Sequence, residues 1–369
     1  MIIRCEELQK VCSKILFAVD ASNNSIITET LEMNTDANYL YMSITNREYF
    51  VKVKLDIQKE VEFSATVAAD VFLKLVSKMT TETIEFSTQN NYLIVKGNGT
   101  YKLPMIYEGD TLLKLPEITI DNITSQFDVS RHILNSITNY NSKELSKKHV
   151  VSNPVQSMYY IDEKGCITFT TGACVNKFTL PTTIKILLSD KIVKLFKLFS
   201  SDTVHVDYGK DGLPNGMVQS KIKFYTDDIE LTAIINSDDG MINSVPESAI
   251  RNRAFDTYDY SVVINKKMFM DAIDRILLFV NNTLGFYGKF SFTKDQLILS
   301  NDAEDNSEIL MYENSVDNLS EYNAVFDLAD LKLTISEIKS DYVTMSFGDG
   351  QAAVIIDKDI YNVIPECVV

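Results

Sequence analysis

Apolar residues recur at i, i+4 and i+7 in three widely separated stretches of the chain. DVFLKLVSKMTTETIEF from Asp70, DKIVKLFKLFSSDTVHV from Asp190 and ADLKLTISEIKSDYVTM from Ala329 overlie one another without a gap. Phe72, Ile192 and Leu331 share the first place, Val76, Phe196 and Ile335 the second, and Met79, Phe199 and Ile338 the third. That spacing is the face of a helix packed on a core. Three residues further on each stretch has an acid, Glu82, Asp202 or Asp341, and alternation from Ile84, Val204 or Val343 predicts a strand. Unbroken agreement at intervals of about 120 to 140 residues predicts three copies of one domain-sized unit.

A second helix opens each copy. In CEELQKVCSKILFAV the apolar face is Leu8, Val11, Cys12 and Ile15. Ile133, Ser136, Ile137 and Tyr140 take those places in QFDVSRHILNSITNYNS, and Phe269, Ala272, Ile273 and Ile276 in the third copy. Six helices follow, over 6–18, 68–79, 130–148, 189–200, 265–280 and 327–340, with short β-branched runs and turn residues filling the rest. Leu115 to Asn122 and PESAIRNRAFDTYD read as linkers. The expectation is an α+β chain of three tandem units, 1–121, 122–250 and 258–369, each with two helices packed on antiparallel sheets.

At 369 residues the chain fits two or three ordinary domains, and the repeat favours three. Hydrophobic residues at 45% and charged residues at 23% are globular proportions. No run of 18 apolar residues occurs, and MIIRCEELQK lacks a signal peptide's apolar core, so a soluble cytoplasmic protein without membrane contact is expected. Cys5, Cys12, Cys166, Cys174 and Cys367 are scattered, with no CxxC, which speaks against a disulfide framework and a zinc site.

Net charge is −16, which repels nucleic acid at long range. Its distribution changes that picture. The six predicted helices carry sixteen Lys and Arg against ten Asp and Glu, leaving −22 elsewhere. Lysine's preference for helix surfaces is one account of that count. Lys10, Lys14, Lys74, Lys78, Lys191, Lys194 and Lys197 nevertheless fall opposite the apolar faces, and Arg131, Lys143, Lys147, Lys148, Lys266, Lys267 and Arg275 extend the set. Presented to one side, such helices would meet phosphates with long flexible cations and no base readout, which suits a protein that holds duplex DNA without stopping on a sequence. The third copy is weakest, since Glu337 stands where Lys78 would be.

Catalytic signatures are missing. GxxxxGK[ST], GxGxxG, GxSxG and HExxH do not occur, and thirteen glycines supply few phosphate-cradling loops. His132, His149 and His205 have no metal-ligand spacing, and Asp227–Asp228 and Asp238–Asp239 fall at turn-like positions. A Cys174 nucleophile would need a histidine brought from elsewhere in the fold. No cofactor or metal is expected.

Taken in order, these segments resemble the bacterial DNA polymerase III beta subunit, the sliding clamp. FSATVAADVFLKLVSKM with LIVKGNGTYKLPMI is similar to the family's first domain, NPVQSMYYID with ITFTTGACVNKF to its second, and the terminal YNVIPE to its closing motif. The resemblance implies three tandem DNA-clamp domains forming half of a ring, closed by a second copy around double-stranded DNA. It further implies a non-catalytic processivity factor whose partners are the DNA polymerase III catalytic subunit, a clamp loader complex and other clamp-binding peptide proteins. The implied peptide pocket maps to Val155, Thr170, Gly172, Cys174, Val175, Ile242, Val363, Ile364 and Pro365. The family's Thr-Asp-Gly-His-Arg-Leu is replaced here by Thr170 to Val175, and its Phe-Pro-Asp-Tyr by Ile242 to Val245. The implied dimer interface joins Tyr101 and Leu103 to Leu278 and Phe279 of the second copy. The competing class is an acidic, β-rich tandem-domain interaction or shell protein that does not bind DNA.

Overall fold

A helix forms at each place where the apolar spacing predicts one. In the computed structural model these are α1 (Cys5–Ile15), α2 (Ala69–Ser77), α3 (Arg131–Ser136), α4 (Ser142–Ser146), α5 (Asp190–Lys194), α8 (Lys266–Leu277) and α9 (Leu328–Ser336), with α6 (Asp239–Asn243) and α7 (Glu247–Ala254) in the segment before the third copy. The structure describes residues 1–20, 25–36, 38–57, 62–147, 153–235, 239–280, 285–348 and 350–367. Helix α7 corrects the reading of PESAIRNRAFDTYD as a linker. Its apolar stripe is too thin to announce it, but Glu247 in the first turn and Arg251 and Arg253 in the last complement the helix dipole.

The three copies share one backbone device. The carbonyls of Glu82, Asp202 and Asp341, the acids aligned in the sequence, accept the amides of Cys5, Arg131 and Lys266 at 2.9, 2.9 and 2.8 Å. Those bonds make the three helix starts equivalent and correct the middle register by one residue. The buried face there is Leu134, Ile137, Thr138 and Asn141, not Ile133, Ser136, Ile137 and Tyr140. Asn141 thus stands where Ile15 and Ile276 stand, and the chain takes a π-helical turn over Ile137–Asn141. Its amide donates to the Cys174 carbonyl at 3.2 Å and to Thr168 Oγ1 at 3.3 Å. A buried polar group needs such partners.

The chain divides into two compact units, one of Met1–Asn135 with Lys191–Ser237, the other of Ser136–Asp190 with Asp238–Val369. Each unit contains one eight-stranded antiparallel sheet made of two four-stranded halves from successive copies. In the first unit Ile229–Ile235 of the second copy pairs with Tyr49–Asp56 of the first, from Ile229 opposite Val53 to Ala233 opposite Tyr49. In the second unit Ile360–Pro365 pairs in the same way with Ala173–Lys177, Val363 opposite Ala173. Two four-stranded halves remain unjoined. One ends on Thr100–Pro104 and the other on Ser307–Met311, the strands that occupy the joining positions of their copies and have no outer partner among the described residues.

The cores follow the alternation. In the first unit Phe72 and Phe86 lie 5.8 Å apart in one copy, and Phe196 and Phe224 form an edge-on pair at 4.9 Å in the other. In the second, Phe292 stacks on Phe347 at 4.1 Å and Phe290 meets Phe326 edge-on at 5.0 Å. Gly165, at φ +137°, closes a hairpin where a Cβ would stand 2.2 Å from the Asn176 carbonyl oxygen, so only glycine fits. Strand Ser307–Met311 and the short pair Tyr107–Glu108 with Thr111–Leu112 were not expected from the pattern.

Candidate nucleic-acid and partner interfaces

In the first unit the apolar faces of α1, α2 and the segment from α5 through Leu198 are buried, which turns their cations outward. Lys10, Lys74, Lys78, Lys191, Lys194 and Lys197 are exposed. Lys10 pairs with Glu6 at 2.7 Å and Lys74 with Asp70 at 2.8 Å, both one turn away on the same helix. Lys14 lies 3.3 Å from Ser200 Oγ and from Asp228, and Lys191 lies 3.0 Å from Asp20. Arg131 donates to the Ser200 carbonyl at 2.6 Å and stands 3.6 Å from Asp202. The exposed pairs, Lys10 with Glu6, Lys74 with Asp70 and Arg131 with Asp202, contribute about 0–1 kcal/mol each, so a phosphate can replace the acid there.

The second unit differs. Lys143 pairs with Glu337 at 3.0 Å, Lys332 with Asp274, and Arg275 grips Glu308 through two bonds of 2.6 and 3.0 Å, which hold the Glu308 carboxyl below its ordinary range. Lys266 donates to the carbonyls of Ser336 and Ile338, closing the end of α9. Lys147 must be withdrawn from the outward set, because it is buried with its ammonium 2.5 Å from Glu144. A charge is buried only when paired, and this pair cannot turn to solvent. Lys148, like His149, lies outside the described residues.

The residues of the expected peptide pocket separate into two groups. Thr170, Gly172, Val363 and Pro365 line an open cavity of about 300 Å³, together with Phe169, Ala173, Pro246, Ala249, Ile250 and Arg253. Val155, Cys174, Val175 and Ile364 do not, being buried in the core. For Cys174 and Ile364 strand alternation is the reason, since Ala173 and Val363 face the cavity; Val175 shares the face of Ala173 but is buried with Val155 in the same apolar cluster. Ile242 lines a second cavity of about 270 Å³, which shares Pro246 and Ala249 with the first. The α7 wall was missed with the helix itself. Arg251 anchors it, bonding Asp162 at 2.7 and 2.8 Å and Glu247 at 2.5 Å.

At the free sheet edges Tyr101 is exposed, whereas Leu103 is buried in its own sheet. Leu278 and Phe279 follow α8 into solvent, and Ile309 and Met311 on the other free strand are exposed as well. Burial drives the Cys174 thiol far above its ordinary value, so the nucleophile reading fails, since a thiolate is what attacks. His205 pairs with Asp128 at 2.7 Å, and no cluster of three metal-ligating side chains occurs among the described residues. Nor is any described helix long and apolar enough to cross a membrane.

Repeated half-sheets joined between copies, with two helices per copy, define the fold of the DNA sliding clamps. Solved structures of that class match the chain from end to end. The DNA polymerase III beta subunit of Pseudomonas aeruginosa does so at a TM-score of 0.81 and 13% identity, covering 100% of both chains. The sliding clamp of Bacillus subtilis gives 0.80 at 14% identity, covering 100% of this chain and 98% of that one, and the beta subunit of Streptococcus pyogenes 0.81 at 16%, covering 100% and 99%. No protein-family model and no curated protein sequence matches the chain. At these identities the likeness is one of fold.

Proposed function

We propose that the chain is a sliding clamp, a non-catalytic processivity factor that encircles double-stranded DNA as a head-to-tail homodimer in the cytoplasm. The observation that carries this reading is the pair of unjoined half-sheets. Twice within the chain, a half-sheet of one copy completes itself on the half-sheet of the preceding copy. The first copy's Thr100–Pro104 edge and the third copy's Ser307–Met311 edge are left over, and they are of opposite kinds. A second molecule supplies to each what the first lacks, a heterologous contact that closes when the rotation permits. Tyr101, Leu278, Phe279, Ile309 and Met311 would be covered there.

Three domains, 1–121, 122–250 and 258–369, are the division we propose, the middle one giving a half-sheet to each compact unit. The basic helices would face the DNA. The cavity beside α7 would take apolar side chains of peptides from a DNA polymerase III catalytic subunit, a clamp loader and other clamp-binding proteins. Sedimentation at micromolar concentration is expected to give twice the mass of one chain. A single-chain mass would return the protein to the class of acidic tandem-domain proteins that do not bind DNA.

A further inference from the structure

We infer that the grip on duplex phosphates is unequal along the chain, carried by the helices of the first unit and nearly absent from those of the second. The inference rests on the clamp reading and adds to it where the polyanion is held. In the first unit, with α5 counted whole, the segments 5–18, 69–78, 131–135 and 190–198 carry eight bases (Lys10, Lys14, Lys74, Lys78, Arg131, Lys191, Lys194, Lys197) against four acids (Glu6, Glu7, Asp70, Asp190). The corresponding segments of the second unit, 136–147, 266–277 and 328–337, carry six bases against five acids: Glu144, Asp271, Asp274, Asp330 and Glu337.

Five of the first unit's eight bases are paired, Lys10 with Glu6, Lys74 with Asp70, Lys14 with Asp228, Lys191 with Asp20 and Arg131 with Asp202, but none of them is buried as Lys147 is. Of the second unit's six bases, Lys147 is buried against Glu144, Lys143 and Lys332 are matched by Glu337 and Asp274, Arg275 is held by Glu308, and Lys266 closes a helix end on carbonyls. Lys267 stands one turn before Asp271. A lysine can leave a surface acid for a phosphate, but the acid stays and repels the polyanion, so the local sum decides. In the first unit Lys78 and Lys197 are exposed and make no ion pair among the described residues, whereas α1 and α2 themselves carry as many acids as bases.

Counterion release gives the test. Each phosphate neutralised contributes about −0.9 to the slope of log K against log salt. Two full-length variants each remove three cations, Lys78→Gln with Lys194→Gln and Lys197→Gln, and Lys143→Gln with Lys267→Gln and Lys332→Gln. Binding to a fluorescent duplex oligonucleotide is measured by anisotropy across a salt series. The first variant is expected to lower the slope by about 2 to 3 and to weaken binding at low salt roughly tenfold or more, and the second to lower it by less than about 1. Equal losses in the two variants, or a larger loss in the second, would overturn the unequal grip. Native protein that stays on an end-blocked duplex while the two variants lose equally refutes only this inference. Native protein that neither binds nor is retained refutes the clamp reading with it.

Discussion

Aspartate at both Leu278 and Phe279 is expected to halve the mass of the protein in solution while leaving its fold intact. Leu278 is 78% exposed and Phe279 54% in the single chain, far more than apolar residues packed in a core, so folding does not depend on covering them. Association would. They follow the end of α8, whose Arg275 reaches Glu308 on the free strand, and this places them beside the edge that would receive the second copy. An unpaired carboxylate buried in such a joint costs several kcal/mol. Two of them should weaken self-association by at least about 10⁴-fold, equivalent to about 5.5 kcal/mol. Sedimentation and circular dichroism together read the result. A variant that stays at double mass would show that the joint lies elsewhere.

The next largest effect is expected at Arg251. Its guanidinium is buried, and burial alone works against the charge, yet the bonds to Asp162 and Glu247 raise its proton affinity above the ordinary value. Replacing it with alanine leaves Asp162 buried and uncompensated, which costs about 3–5 kcal/mol. The loss should be local at first: hydrogen exchange of α7 rises, and the cavity wall formed by Pro246, Ala249 and Ile250 loosens. Pairing Arg251→Met with Asp162→Leu should recover most of the stability, since removing both charges avoids the uncompensated one. A single substitution with no effect on the denaturation midpoint would contradict the anchoring role.

Much of this was legible in the sequence, and the failures have physical causes. The helix faces of Phe72, Ile192 and Leu331 were plain because apolar spacing is a local signal. The slip at Ile133 arose because Asn141 occupies a core place, and a polar residue there breaks the periodicity from which register is read. Cys174, which the resemblance implies, lies behind the cavity that its neighbour Ala173 lines, because in a strand one residue exchanges faces. Burial of Lys147 could not be seen, since its helical position resembles that of any outward lysine until Glu144 and Thr170 are brought beside it. The pairing of Ala233 with Tyr49 has no local signature at all, because what joins them is the repetition of half-sheets across copies. That repetition is also what leaves two edges open.

Topological enclosure of DNA can be measured directly by retention on an end-blocked duplex. The protein is threaded onto a linear duplex from its ends, the ends are then blocked with bulky protein caps, and the bound fraction is followed after transfer to high salt. Enclosure predicts retention on the capped duplex and prompt loss when a cap is removed by cleavage, because the ring leaves by sliding off rather than by dissociating. Equal, rapid loss from capped and open duplexes would contradict it, for only electrostatic contact, which salt screens, would then be holding the protein.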